Sequence, residues 1–173
     1  HRYSSAASDV YKRQGLYYNK LMSKLETSEI EKKKWRDRIT GEVKLAVKVQ
    51  ENFLPKRNLD NYPVHGINLA AREVSGDFFS FYPHNESVYF IIADVAGKGV
   101  HAGMVMAKAS TLFEIMSRDK VDVDEMAFHM NNDLHLTKTG GMFVTSIIGN
   151  YNIITDEISW VNAGHQPAII RDN

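Results

Sequence analysis

The chain has 173 residues, 43% hydrophobic and 24% charged, with a formal net charge of zero at pH 7. These are ordinary globular values, and the length suits one domain with a core plus a modest extension. The lack of cysteine excludes disulfides and thiolate metal sites and suits a reducing compartment. No apolar run approaches the roughly 20 residues of a spanning helix, and no signal-peptide core is present. The expectation is a cytoplasmic protein, or the cytoplasmic part of a longer one, without direct membrane insertion.

Residues 1–14 have no apolar periodicity and are set aside as non-native or disordered. Residues 15–54 contain no proline and many good helix formers, so they read as a helical linker. Within it Ile39, Val43, Ala46, Gln50 and Phe53 recur at coiled-coil spacing, which predicts a seam against a second copy. Leu54-Pro55 ends the helix, because a residue before proline is pushed out of the helical region. Residues 12–57 carry about 13 basic against about 6 acidic side chains, and the remainder reverses the balance. Such a basic run can meet nucleic acid or anionic membrane, but a mixed-charge helix is more commonly a solvated face. No nucleic-acid partner is expected. Trp35 reads either as an interface residue or as the packing end of the linker.

Residues 62–173 change period. GINLAAREV (66–74), DFFSFYP (77–83) and SVYFIIADV (87–95) read as strands, with PHNES as the turn between the last two. Residues 101–118 form a buried helix, with Met104 and Met106 as core filling. A second helix starts with an Asp cap and an early Glu in DVDEMAFHMNNDLHL. MFVTSIIGNYNIITDEISWVNAG reads as two strands joined around Thr155-Asp156, and PAIIR starts a third. Strands, then helices, then hairpin strands indicate an α+β domain with largely antiparallel sheets.

Gly97-Lys98-Gly99-Val100-His101-Ala102 follows a strand and opens a helix, which is the context of a dinucleotide fingerprint. Asp94 just before it would repel a pyrophosphate. The acids about 20 residues on, Asp119 and Asp122, lie between helices, and the downstream strands form a hairpin. A P-loop fails because no Ser or Thr follows Lys98. A surface turn is the better reading.

Asp77 begins one strand and Asp94 ends the next, so an antiparallel pair brings both to the same end. Two carboxylates there suit a hard divalent cation that keeps several waters. On spacing alone, an Asp beside Gly is more often a turn residue capping its own backbone.

Four motifs in order, AREVSGDFFSF, FIIADVAGKGVHAGMVMA, MFVTSIIGNYN and WVNAGHQPAII, resemble the PPM-type (PP2C-like) serine phosphatase domain of the SpoIIE/RsbU family. AVKVQENFLPKR resembles the helix and Leu-Pro that lead into such domains behind an upstream sensor domain. The resemblance implies a sandwich of two antiparallel β-sheets flanked by helices, with two Mn²⁺ or Mg²⁺ ions at one sheet edge. It implies a metal-bridged hydroxide attacking phosphorus in line. Asp94 matches the acid that bridges both ions, Val95 would offer its backbone carbonyl, and Asp77 matches the acid of the Gly-Asp motif. The implied substrate is a phosphoserine on a small anti-anti-sigma (STAS-type) regulator in bacterial signalling.

Ser80 stands where the family often has a second acid, Ala96 where it has Ser, and His101 where it has Pro. Two further family aspartates belong to motifs after Asn-Ala-Gly-His, so the chain is expected to be C-terminally truncated, with half a metal site and little activity of its own. The alternative is a catalytically silent module that keeps the fold for binding or regulation. Lys98 reads as a helix-entry lysine or a phosphate contact. His101 and His165 read as turn residues or proton donors.

Overall fold

The computed structural model describes residues 2–55, 62–68, 74–137 and 141–171. The chain forms two compact units, His1–Glu42 and Val43–Asn173.

The first unit is helical throughout its described length. Helix α1 spans Arg2–Gln50 and so takes in residues that show no periodicity in the sequence. Further along it, Thr27 Oγ1 donates to the Ser23 carbonyl at 2.8 Å, and Arg38 pairs with Glu42 one turn on at 3.1 Å. Tyr11, Tyr18, Leu25, Trp35 and Ile39 are all exposed on it.

The second unit begins with the last turns of α1. A 3-10 turn, Glu51–Phe53, follows, and Leu54 is extended at φ −94°, ψ 148°, as its place before proline predicts. Two of the five seam positions are taken up by the domain itself. Gln50 is buried and Phe53 packs against the core.

Strands β1 (Phe78–His84), β2 (Ser87–Val95), β3 (Val144–Asn152) and β4 (Glu157–Ala163) form one sheet in the order β1-β2-β3-β4. Every pairing is antiparallel. The turns are where the sequence places them. Asn85 (φ 49°) and Asp156 (φ 59°) adopt the left-handed conformation that tight hairpins need and that Asn and Asp tolerate. Asn152 Oδ1 accepts from the amides of Ile154 and Thr155, which holds the second turn.

Helices α2 (Val100–Arg118) and α3 (Val123–Leu136) link β2 to β3 and cover one sheet face. Ala102, Val105, Met106, Ala109 and Phe113 recur at helical spacing and are buried on α2, against Ile91, Ala93 and Val95 of β2. Met104 points to solvent at 67% exposure, so of the two methionines only Met106 fills the core. Asp122 occupies the N-cap position of α3 without a side-chain capping bond, and Asp124 and Glu125 supply negative charge in its first turn.

The second sheet of a sandwich is not found among the described residues. Residues 64–68 have no strand pairing, and residues 69–73 lie outside the described set. Residues 167–171 are unpaired as well, with Ile169 95% exposed. An apolar run becomes a strand only where a neighbour takes its backbone hydrogen bonds. The sheet face away from the helices is covered only in part: Val88 and Ile147 are buried on it, while Ile92, Ile158 and Trp160 are exposed.

Candidate functional site

The register of the first hairpin creates the site. Phe78 pairs with Ala93, so Asp77 and Asp94 are the next residues outward on adjacent chains. Gly76 permits the close approach of the two chain ends. A Cβ there would lie 3.0 Å from the Val95 carbonyl oxygen and 3.4 Å from Ala102 Cβ. Any larger residue would fill the space beside the carbonyl singled out as a metal ligand. The backbone on either side of Asp77 is fixed too. Its amide donates to Ser75 Oγ at 3.0 Å, and its carbonyl accepts from Asn68 Nδ2 at 3.1 Å.

Both carboxylates are exposed at the rim of a cleft of about 330 Å³, whose other polar lining is Asn68, His165 and Gln166. Asp77 has its carboxyl raised above the ordinary 3.8. Partial burial is the largest cause, followed by the hydrogen bond and the negative charge of Asp94, while His165 pulls it down. The Asp94 charge beside Asp77 would be offset by a cation bound between them.

His165 was only one of several minor candidates in the sequence, and the fold brings it into this cleft. Its Nδ1 is 2.9 Å from Thr145 Oγ1, and Thr145 is the cross-strand partner of Asp94. Asn162 clamps its backbone from both sides, accepting from the His165 amide at 2.8 Å and donating to its carbonyl at 3.2 Å. Gly164 makes that loop at φ 74°. The sequence signal for this was the Asn-Ala-Gly-His string, in which His165 read as a turn residue or a proton donor.

Neither Lys98 nor His101 lines the cleft, and both are exposed. Gly97 (φ 134°) and Gly99 (φ 76°) make the Gly-Lys-Gly stretch a turn into α2, and the antiparallel sheet lacks the parallel strands of a dinucleotide fold. Ser80 pairs with Ile91 on the helix face, away from the carboxylates. A larger cavity of about 540 Å³ lies on that helix face between Met130, Leu134, Met142 and Ile148, with no carboxylate in its lining.

The cleft's donors suit a hard divalent cation in kind, carboxylate oxygens with space for water, while Val95 is buried and does not line the cleft. They fall short in number. Among the described residues no group of three or more His, Asp or Glu side chains is placed to hold a metal ion.

Comparison with known proteins places the chain in a family. The family profile of Stage II sporulation protein E (SpoIIE) matches residues 84–173, which include Asp94 and His165 but not Asp77. Phosphoserine phosphatase RsbU of Bacillus subtilis is 26% identical over 131 residues, covering 75% of this chain and 39% of that protein. Phosphoserine phosphatase RsbP of the same organism is 30% identical over 139 residues, covering 76% and 34%. Protein IcfG of Synechocystis is 28% identical over 152 residues, covering 70% and 24%. The chain thus spans well under half the length of these relatives. The crystal structure of the RsbU and RsbW domains of Rv1364c from Mycobacterium tuberculosis superposes with a TM-score of 0.52 at 21% identity, over 57% of this chain and 28% of that one, and so supports the PP2C-like fold. With its profile matched over half the chain, in the part that carries Asp94 and the Asn-Ala-Gly-His loop, this protein belongs to the SpoIIE family of PP2C-like phosphatase domains.

Proposed function

We propose that the chain carries the phosphate-handling part of a metal-dependent phosphoserine phosphatase that acts on a small STAS-type regulator in the cytoplasm. The observation that carries this reading is the convergence of Asp77, Asp94 and His165 on one cleft, in a chain similar to two proteins named as phosphoserine phosphatases. Asp94 and Asp77 are the residues that would hold Mn²⁺ or Mg²⁺. Such ions supply activation of water and neutralisation of charge on the phosphoryl oxygens.

The chain's own residues do the remainder. Gly76 leaves room for the turn before Asp77 to lie close against the Val95 carbonyl. Thr145 engages the imidazole of His165 at Nδ1, and with the proton on Nε2 that nitrogen would donate to a phosphoryl oxygen or to the departing serine oxygen. The exposed Tyr11, Tyr18, Leu25 and Ile39 stand a whole number of heptads apart on α1. They favour a pairing of two copies through α1 that joins the domain to an upstream sensor. Light scattering that gives a monomer at high micromolar concentration would remove the dimer from this reading.

The test of the activity is Mn²⁺-dependent phosphate release from a phosphoserine STAS protein. Two carboxylates offset only part of the charge of two ions, so slow turnover is expected, falling at least tenfold in Asp94→Asn. Release that is indifferent to Mn²⁺ or to Asp94→Asn would overturn it. The small donor set favours a second reading, a silent binding module. In that case the STAS protein binds without any phosphate release.

A further inference from the structure

We infer that Asn162, next to the end of β4, is a positioning residue that holds His165 for its contact with the phosphoserine. Asn162 commits both ends of its amide to one residue. Oδ1 accepts from the His165 amide at 2.8 Å, and Nδ2 donates to the His165 carbonyl at 3.2 Å. Closing a turn takes less than this. Asn152, in the turn between β3 and β4, uses its oxygen for the amides of Ile154 and Thr155, and among the described residues its Nδ2 has no return bond. The second bond from Asn162 fixes the peptide planes on both sides of His165. With them it fixes the direction in which the imidazole leaves the chain.

The ring is held separately. Thr145 Oγ1 lies 2.9 Å from Nδ1, and Thr145 is the β3 residue opposite Asp94. Between the two holds, Gly164 turns the chain at φ 74° and bridges to Ser146. Asn162 itself pairs with Ile147. The loop is therefore tied to residues 145–147 of the strand that also lies against Asp94, so β3 sets the distance between carboxylate and imidazole. Burial does little of this work, because Asn162, Ala163 and Gly164 are all exposed. An exposed asparagine could equally well be solvated by water. A donor to a phosphoryl oxygen, by contrast, contributes only where it is already aimed, and a small misplacement costs rate.

This inference rests on reading His165 as that donor, so its test separates the two. Mn²⁺-dependent phosphate release from a phosphoserine STAS protein is measured in the full chain for Asn162→Ala, His165→Asn and the pair. Asn162→Ala should lower kcat about threefold and leave KM nearly unchanged. In the His165→Asn background the same change should cost nothing further, because Asn162 acts through the imidazole, whereas independent effects multiply. Asn162→Asp keeps the acceptor for the His165 amide and should recover part of the loss. NMR of the ¹⁵N-labelled chain without metal reads the positioning itself. Asn162→Ala should speed hydrogen exchange at the His165 amide and weaken the Overhauser contact between its ring and the Thr145 methyl group. Exchange in β2 and β3 should stay as in wild type. An unchanged His165 amide and ring, or multiplying losses of the pair in kcat, would overturn the inference. If His165→Asn matches wild type, or wild type releases no phosphate, the donor reading fails, and NMR alone decides the positioning role. Should Asn162→Ala fail to fold, Asn162→Ser with Asn162→Asp supplies the same comparison.

Discussion

The two faces of the sheet obey different rules. On the helix face Phe78, Ile91, Ala93, Val95 and Ile148 meet Met106, Phe113 and Met126, and polar groups are few. On the other face Ile92 and Asp94 alternate with buried neighbours of the same strand, and both are exposed. Hydrophobic burial accounts for the first face completely. It gives no reason to put two carboxylates side by side on the second. That excess over what folding requires is what marks a functional site.

The comparison breaks most sharply with a pair of substitutions. Phe113 is fully buried, and Phe113→Ala removes a whole ring from the core, which costs about 3–5 kcal/mol. Asp94→Asn lies on the exposed face and should leave stability within about 0.5 kcal/mol. Denaturant unfolding of the two variants checks this. If Asp94→Asn proves as damaging as Phe113→Ala, the second face is structural after all.

A smaller effect separates Asp77 from an ordinary surface acid. Its folded-state carboxyl is raised above 3.8, so the folded chain holds a proton there more firmly than the unfolded one does. That contribution to stability is present below about pH 4 and is lost as pH rises through the raised value. At pH 7 the ionised group is then a small liability, limited by its exposure to solvent. Asp77→Asn should raise the melting temperature at pH 7 in EDTA, and the gain should vanish below pH 4. With millimolar Mn²⁺ the order should reverse, because an ion that binds only the folded wild type stabilises it by mass action. A thermal scan across pH with and without Mn²⁺ reads both signs. Equal melting temperatures throughout would leave Asp77 with no special environment.

How far the sequence could be read follows the same division. Strands β1 to β4 and both helices were legible, because alternation, turn residues and helical spacing are local signals. So was the meeting of Asp77 and Asp94, since a hairpin's register follows from its turn. Residues 167–171 were overread: apolar alternation reports that a segment can be a strand, while the partner that makes it one is elsewhere in the chain. Met104 was misplaced because one step along a helix turns a side chain by a large angle, and the stripe runs through 102, 105, 106 and 109. Gln50 looked like a seam position because spacing cannot say which surface covers a stripe. His165 was the hardest to weigh. Its place depends on β3 and β4 lying beyond β2, and no local pattern encodes that distance.

The smallest predicted effect concerns His165, and it tests whether the open face is organised down to single atoms. Nδ1 is engaged with Thr145, so the ring has one nitrogen for orientation and the other for a ligand. Asn at 165 places a polar atom near the Nδ1 position, and Gln places one near Nε2. His165→Asn should therefore keep the Thr145 contact and the fold but lose the donor to phosphate. His165→Gln should keep a donor with looser orientation. In Mn²⁺-dependent phosphate release, kcat should fall about threefold for Gln and about tenfold for Asn, the latter corresponding to roughly 1.4 kcal/mol of lost transition-state stabilisation. KM should move little, because the contact strengthens as charge develops on the oxygen it faces. Both variants should unfold within about 0.5 kcal/mol of wild type, since His165 is only partly buried. If Asn and Gln lose activity equally while unfolding early, His165 belongs to the architecture of the Asn-Ala-Gly-His loop and not to the chemistry of the cleft.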